Sequence, residues 1–236
     1  MFLVFETKVR IFGKHRHKQE EILYLHMYNS TPNWFKSLAS IKPPGFSAQA
    51  LMAPTNRKPM EHFSASLDFN PRLGAVLCIL YPIDSVIHTA LILRPDYPGV
   101  HSNQVSFPGG AKEVFDNSLW DTAIREASEE VNIRLTDLMD SFSLSSIYIP
   151  PSNFLVQPFV AFSPVKPKFI PDAREVNKIL EIPIQYLFDR NAKSVDMFTA
   201  SAGLKIKSPC YIFGNVKIWG ATAMMISELE QMFKLL

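Results

Sequence analysis

The chain has 236 residues, 47% apolar and 19% charged, with a formal net charge of +2. That length suits one large domain or one domain with additions, and the apolar share excludes an intrinsically disordered chain. So small a net charge gives no ground for a nucleic-acid partner, which needs a clustered basic face.

Cys78 and Cys210 are the only cysteines. They allow one bridge at most and have no metal-ligand spacing, which points to an intracellular, cytoplasmic protein. Cys78 sits in the apolar run "LGAVLCILY" and reads as a small buried hydrophobe. No apolar run approaches a membrane span, and "MFLVFETKVR" is too short in its apolar part for a signal peptide.

Residues 1–27 differ from the rest and read as an N-terminal extension to a domain over 28–236. In "KVRIFGKHRHKQEE", His15 and His17 lie among Lys14, Arg16 and Lys18, which makes a poor metal site and a good solvated tail. Met27 offers an alternative start. "NWFKSLASI" predicts a short helix capped by Asn33, and "KPPGFSAQALMAP" a linker. "RLGAVLCILY" and "HTALILRP" predict buried strands, with "DYPGVHSNQ" as the loop that follows.

"NSLWDTAIREASEEVN" is the clearest helix. Asn117 or Ser118 can cap it. Leu119, Ala123, Ile124, Ala127 and Val131 form its apolar face. Asn132 suits a left-handed closing position. Beyond it, "LSSIYI", "FLVQPFVAF", "VNKILEIPI", "KSVDMFTAS", "CYIF" and "VKIWG" read as strands. "PIQYLFD" is a helical turn and "ATAMMISELEQMF" a closing helix. Helices lying between groups of strands predict a mixed sheet covered by helices.

The helix also carries Glu126, Glu129 and Glu130. Residues three and four apart share a face, so the three carboxylates are expected to project together, with Arg125 at their edge. Such a group is either a wet surface or a cation site. Magnesium takes oxygen ligands and bridges carboxylates to substrate phosphates. Arg125 can hold a glutamate by a bidentate bond. "FPGG" ahead of the helix lets bare backbone approach a metal or phosphate.

The whole stretch resembles the Nudix box, G-x5-E-x7-R-E-U-x-E-E-x-G-U. Gly110, Arg125, Glu126, Glu129, Glu130 and Ile133 match it. Asp116 stands for the first glutamate, and eight residues rather than seven separate it from Arg125. Both features are typical of the coenzyme A pyrophosphatase branch. Ala127 replaces a bulky aliphatic residue and Asn132 the last glycine. "LILRPDYPGVHSNQVSFPGG" is similar to the upstream signature of that branch through His101, Gln104, Ser106, Phe107, Pro108, Gly109 and Gly110. Asn103 replaces a glycine there, and Gly99 stands where many members carry an arginine.

The resemblance implies an α/β/α sandwich with a mixed β-sheet. It implies that Glu126, Glu129, Glu130 and the Gly110 carbonyl ligate Mg2+ or Mn2+. Arg125 would orient a glutamate, and Asp116 would anchor the loop. The general base is expected to be Glu129, or else Glu175 in "REVNKIL". Arg57, Arg94 and Lys112 are candidate partners for the 3'-phosphate of such a substrate, and His101 and Gln104 are further candidate substrate contacts. The implied reaction is hydrolysis of the pyrophosphate of coenzyme A or its derivatives, giving 3',5'-ADP and 4'-phosphopantetheine or an acyl form. A small molecule is thus the expected partner, with no nucleic acid and no membrane, and a homodimer is left open. The alternatives are another nucleotide-linked pyrophosphate or a non-catalytic binding module of the same fold. The intact late glutamates argue against the module. No G-x4-G-K-[ST] or G-x-S-x-G motif supports a Walker-type NTPase or a serine hydrolase.

Overall fold

The computed structural model describes residues 30–55, 57–65, 69–95, 104–199 and 203–236. His15, His17, Met27, Gly99, His101 and Asn103 lie outside the described residues. Thr31–Leu236 form one compact unit.

Strand β1 (Arg72–Ile83) is the spine of the main sheet. It pairs antiparallel with β2 (Val86–Leu93) and with β4 (Gly109–Ala111), and parallel with β7 (Phe154–Phe162). β3 (Val105–Ser106) and β8 (Lys178–Pro183) add to β2, while β5 (Asp140–Ser143) and β6 (Ile147–Ile149) add to β7. One parallel pair among antiparallel ones makes the sheet mixed, as expected. A second antiparallel sheet runs β11 (Val216–Trp219), β10 (Lys205–Phe213), β9 (Lys193–Thr199).

Alternation along β1 sorts its side chains between two cores, because strand side chains change face at every residue. Ala75, Leu77, Ile79 and Tyr81 pack with Ala123, Ala127, Val131 and Ile133. Cys78 and Leu80 pack on the other face with Phe35, Leu38, Met225 and Leu229. The helices are α1 (Asn33–Ser40), α2 (Phe46–Gln49), α3 (Met60–Ser64), α4 (Leu119–Val131), α5 (Ile184–Phe188) and α6 (Gly220–Phe233). Helix α4 covers one face of the sheet, and α1 with α6 the other, so the layers are α/β/α.

Two local expectations are corrected. Asn33 does not cap α1: Pro32 occupies the cap position and Asn33 is the first helical residue. Proline fixes φ near −65° and has no N–H, so it starts a helix without a side-chain cap. The segment read as a linker folds into α2 and a 3-10 turn over Ala50–Met52. Its Ala48 and Met52 are buried, and Glu228 of α6 accepts hydrogen bonds from Gly45 N at 2.8 Å and Gln49 Nε2 at 3.0 Å. Tertiary anchoring overrides the local turn signals of Pro43, Pro44 and Gly45.

Cys78 is buried, as expected, and both cysteines are free. Burial pushes the Cys78 thiol up to about 12. No helix among the described residues is long and apolar enough to cross a membrane.

Candidate active site

Helix α4 starts with a closed capping box. Ser118 Oγ accepts from Asp121 N at 3.1 Å, and Asp121 Oδ2 accepts from Ser118 N at 3.0 Å. It ends at Asn132 in the left-handed conformation, φ 62°. Ala123 and Ala127 are fully buried under the sheet. Small residues there let the helix backbone approach β1 closely, which is why alanine serves where the box has a bulkier residue.

The loop between β4 and α4 is tied to the helix by one arginine. Arg125 donates to Asp116 Oδ1 from Nε at 3.0 Å and to Oδ2 from Nη2 at 2.9 Å. Nη2 also meets Ala111 O at 2.9 Å. Asp116 Oδ2 accepts further from Glu113 N and Thr122 Oγ1, each at 2.9 Å. The Arg125 guanidinium holds the Asp116 carboxyl well below the usual carboxylate range and is itself held up by that pairing. The second edge of Arg125 faces the glutamates: Nη1 lies 2.9 Å from Glu126 Oε1 and 3.3 Å from Glu129 Oε2.

The three helix carboxylates have different environments. Glu129 is 59% exposed, and Glu130 is 1% exposed. Glu130 turns inward, and both its oxygens are engaged. Oε2 accepts from Gly109 N at 2.8 Å, and Oε1 from Arg94 Nη2 at 3.1 Å. Arg94 Nη2 also donates to Gly109 O at 3.0 Å. The Gly109 peptide is therefore gripped at both its N–H and its C=O. The three carboxylates were expected to project together; while Glu129 stays exposed, Glu130 instead turns inward. Its signal was present in the sequence: Glu130 follows Ala127 by three residues and Ala123 by seven, which puts it toward the buried side.

Burial, more than any neighbour, raises the pKa of Glu130 to about 7, against the pull of Arg94 and Gly109 N–H. Burial also raises that of Glu126, again before the effects of Arg125, Glu129 and Glu175. Glu175 acts on both residues through its charge. It is brought near by the loop ahead of β8, where Ile170 N and Asp172 N donate to Val131 O and Glu130 O, at 3.2 and 2.9 Å.

Two glycines let the loop lie where it does. A Cβ on Gly110 would run into the Glu126 carboxylate, and one on Gly109 into the backbone of Ala75 and Val76. Gly74, which sequence reasoning passed over, is as constrained. A Cβ there would stand 2.7 Å from Gly110 O and 3.2 Å from the Phe154 ring.

Beside this loop lies a cavity of about 520 Å3. Gly109, Gly110, Arg94, Gln104 and Arg57 line it, among apolar walls that include Phe63, Phe154 and Trp219. Lys112 is not in its lining. Its ammonium donates to Asp116 O at 2.6 Å, within the box loop.

The donor chemistry suits a hard divalent cation: carboxylates and a glycine carbonyl. Among the described residues no three such side chains are already gathered as a metal site. Glu126 and Glu129 are turned onto Arg125 instead, and Glu130 onto Arg94.

An anionic helix thus lies against a glycine loop on an α/β/α sandwich. No family model matches the chain. A Nudix hydrolase, NudL, from Yersinia pestis is 32% identical over 156 residues, covering 65% of this chain and 77% of that protein. The human mitochondrial coenzyme A diphosphatase NUDT8 is 26% identical over 164 residues, covering 69% and 70%. A solved MutT/nudix family protein from Enterococcus faecalis is 15% identical, with a TM-score of 0.46 over 85% of this chain and 73% of that one. The chain belongs to the Nudix hydrolases. These are pyrophosphohydrolases that generally need a divalent metal ion.

Proposed function

We propose that the protein hydrolyses the pyrophosphate of coenzyme A or its derivatives, giving 3',5'-ADP and 4'-phosphopantetheine or its acyl form. The observation that carries this reading is the apolar cavity lined by Gly109 and Gly110, whose loop packs on Glu126 and Glu130 of α4. A pyrophosphate at the glycine loop leaves one large substituent for the cavity. The similarity of Leu91–Phe107 to the coenzyme A branch supports the choice of substrate, as does the likeness to a coenzyme A diphosphatase.

Glu126, Glu129, Glu130 and the Gly110 carbonyl would hold Mg2+ or Mn2+. When bound, the ion neutralises pyrophosphate oxygens and acidifies the attacking water. Arg125 sets the orientation of Glu126 and Glu129 from one nitrogen. Glu129, the most accessible of the three, accepts the proton of the water, with Glu175 as the alternative base. Arg94 keeps the Gly109 peptide in place and lines the cavity. Gln104, His101 and Lys112 are further candidate contacts to substrate. The catalytic domain is taken as residues 28–236, with 1–27 as an extension.

The test is a panel of pyrophosphates offered with Mg2+ and with Mn2+, with products identified by mass. Coenzyme A should give the highest kcat/KM. A better rate on ADP-ribose or a nucleoside triphosphate would replace coenzyme A with another nucleotide-linked pyrophosphate.

A further inference from the structure

Arg57 lies in the cavity wall with Thr55, Lys58 and Phe63. Its Nη2 donates to Tyr148 O, and its guanidinium stands 5.9 Å from the centre of the Phe63 ring. Its Nε is buried without a hydrogen-bond partner. Among the described residues no carboxylate pairs with it, and burial lowers its pKa from the usual guanidinium value. Arginine keeps its proton in proteins, so the charge stays in an apolar wall without a counter-ion.

The cavity gathers other unmet polar groups. Three buried side-chain N or O atoms among the described residues lack a partner: Arg57 Nε, Ser106 Oγ and Ser152 Oγ. All three residues line this one cavity. A buried donor left unpaired is costly, and such atoms are rare in native proteins. Arg57 and Ser152 thus bring an uncompensated positive charge and a neighbouring hydroxyl residue to one wall of the cavity. Ser152 follows Tyr148, whose carbonyl Arg57 already grips, at the end of a short 3-10 turn over Pro150–Ser152.

A ligand suited to them must bring negative charge and several acceptor oxygens to a largely apolar chamber. Coenzyme A carries such a group apart from its pyrophosphate, the phosphate monoester on its ribose. A monoester dianion matches the planar fork of a guanidinium better than it matches an ammonium. We propose that Arg57 and Ser152 form a subsite for a phosphate monoester on the nucleotide part of the substrate. The pyrophosphate lies at Gly109–Gly110 and the flat base between them, against the aromatic walls. This subsite rests on the pyrophosphate reading but is tested apart from it.

The probes are adenosine 3',5'-bisphosphate and AMP, titrated calorimetrically into the full chain without metal. The wild type should bind the bisphosphate about ten- to a hundredfold more tightly, the range of a charge-assisted hydrogen bond. Arg57→Met should erase that preference and leave the Kd for AMP unchanged. Arg57→Lys should keep part of it, and Ser152→Ala should reduce it severalfold. No preference in the wild type, or an undiminished one in Arg57→Met, overturns the subsite. If Arg57→Met does not fold, Ser152→Ala decides, and an undiminished preference there overturns it. Loss of coenzyme A hydrolysis with the preference intact strikes only the proposed reaction. Hydrolysis of coenzyme A with no preference strikes only the subsite.

Discussion

Arg125 grips Asp116 by two parallel bonds, Nε to Oδ1 at 3.0 Å and Nη2 to Oδ2 at 2.9 Å. The box has a glutamate at this position and one residue fewer before the arginine. Here a shorter acid and a longer loop offset each other, and the bidentate pair still forms. Asp116 is buried, so its loss leaves Arg125, Glu113 N and Thr122 Oγ1 short of an acceptor. Asp116→Ala should cost about 3 kcal/mol of stability, measured by urea unfolding. The pair also sets a pH response. The folded Asp116 has a depressed pKa, so its contribution is present above the unfolded value of about 3.9 and lost as pH falls below it. The melting temperature of the wild type should fall more steeply below that pH than that of Asp116→Asn. Parallel curves would show that the pair carries no such linkage.

Glu129 separates chemistry from folding. It is largely exposed, and among the described residues its carboxylate pairs with Arg125 alone. Glu129→Gln should lower kcat by about a hundredfold or more and leave the melting temperature unchanged. Glu126→Gln should also abolish turnover, and a chelator should silence the wild type. Full activity in either variant, or in chelator, would remove the metal role.

Gly110 and Gly74 set the position of the Gly110 carbonyl, the proposed metal ligand. Gly110→Ala drives a methyl into the Glu126 carboxylate. Its turnover should fall with little change in melting, because a flexible side chain can move aside. Gly74→Ala meets backbone instead, at Gly110 O. It should both destabilise the protein and raise the Mg2+ concentration needed for half-maximal rate. An unchanged Mg2+ requirement would confine Gly74 to packing.

Among the described residues no cation pairs with the Glu228 carboxylate. It accepts from Gly45 N, Gln49 Nε2 and, at 3.2 Å, Ser145 N, fully buried. Removing it strands three donors, so Glu228→Ala should cost about 3 kcal/mol or more. The loss should loosen the segment around Gly45–Met52, read as faster amide exchange there than in α4. Uniform exchange across both would mean that Glu228 supports the whole core rather than this segment.

Helix α4 was legible in the sequence down to its ends. Its apolar period, a cap at Asn117 or Ser118 and a left-handed Asn132 are all local, and local signals survive in a single chain. The continuous apolar run "RLGAVLCILY" likewise fits a strand buried on both faces. The glycine–glutamate spacing was enough to suggest the family. What only the tertiary structure decided are relationships between segments far apart in sequence. Glu130 faces Gly109 because the glycine loop passes under the buried side of the helix, and periodicity alone cannot supply that loop. Arg94 belongs to Glu130 because β2 ends beside it. Gly74 matters because β4 pairs across it, and Glu228 because α6 lies against residues more than 170 positions earlier. Arg57 stands among apolar walls only once Phe63, Phe154 and Trp219 are assembled around it. Residue type and spacing specify what a chain can do locally. Burial and partner, which set the charge and position of these side chains, arise only when distant segments exclude water together.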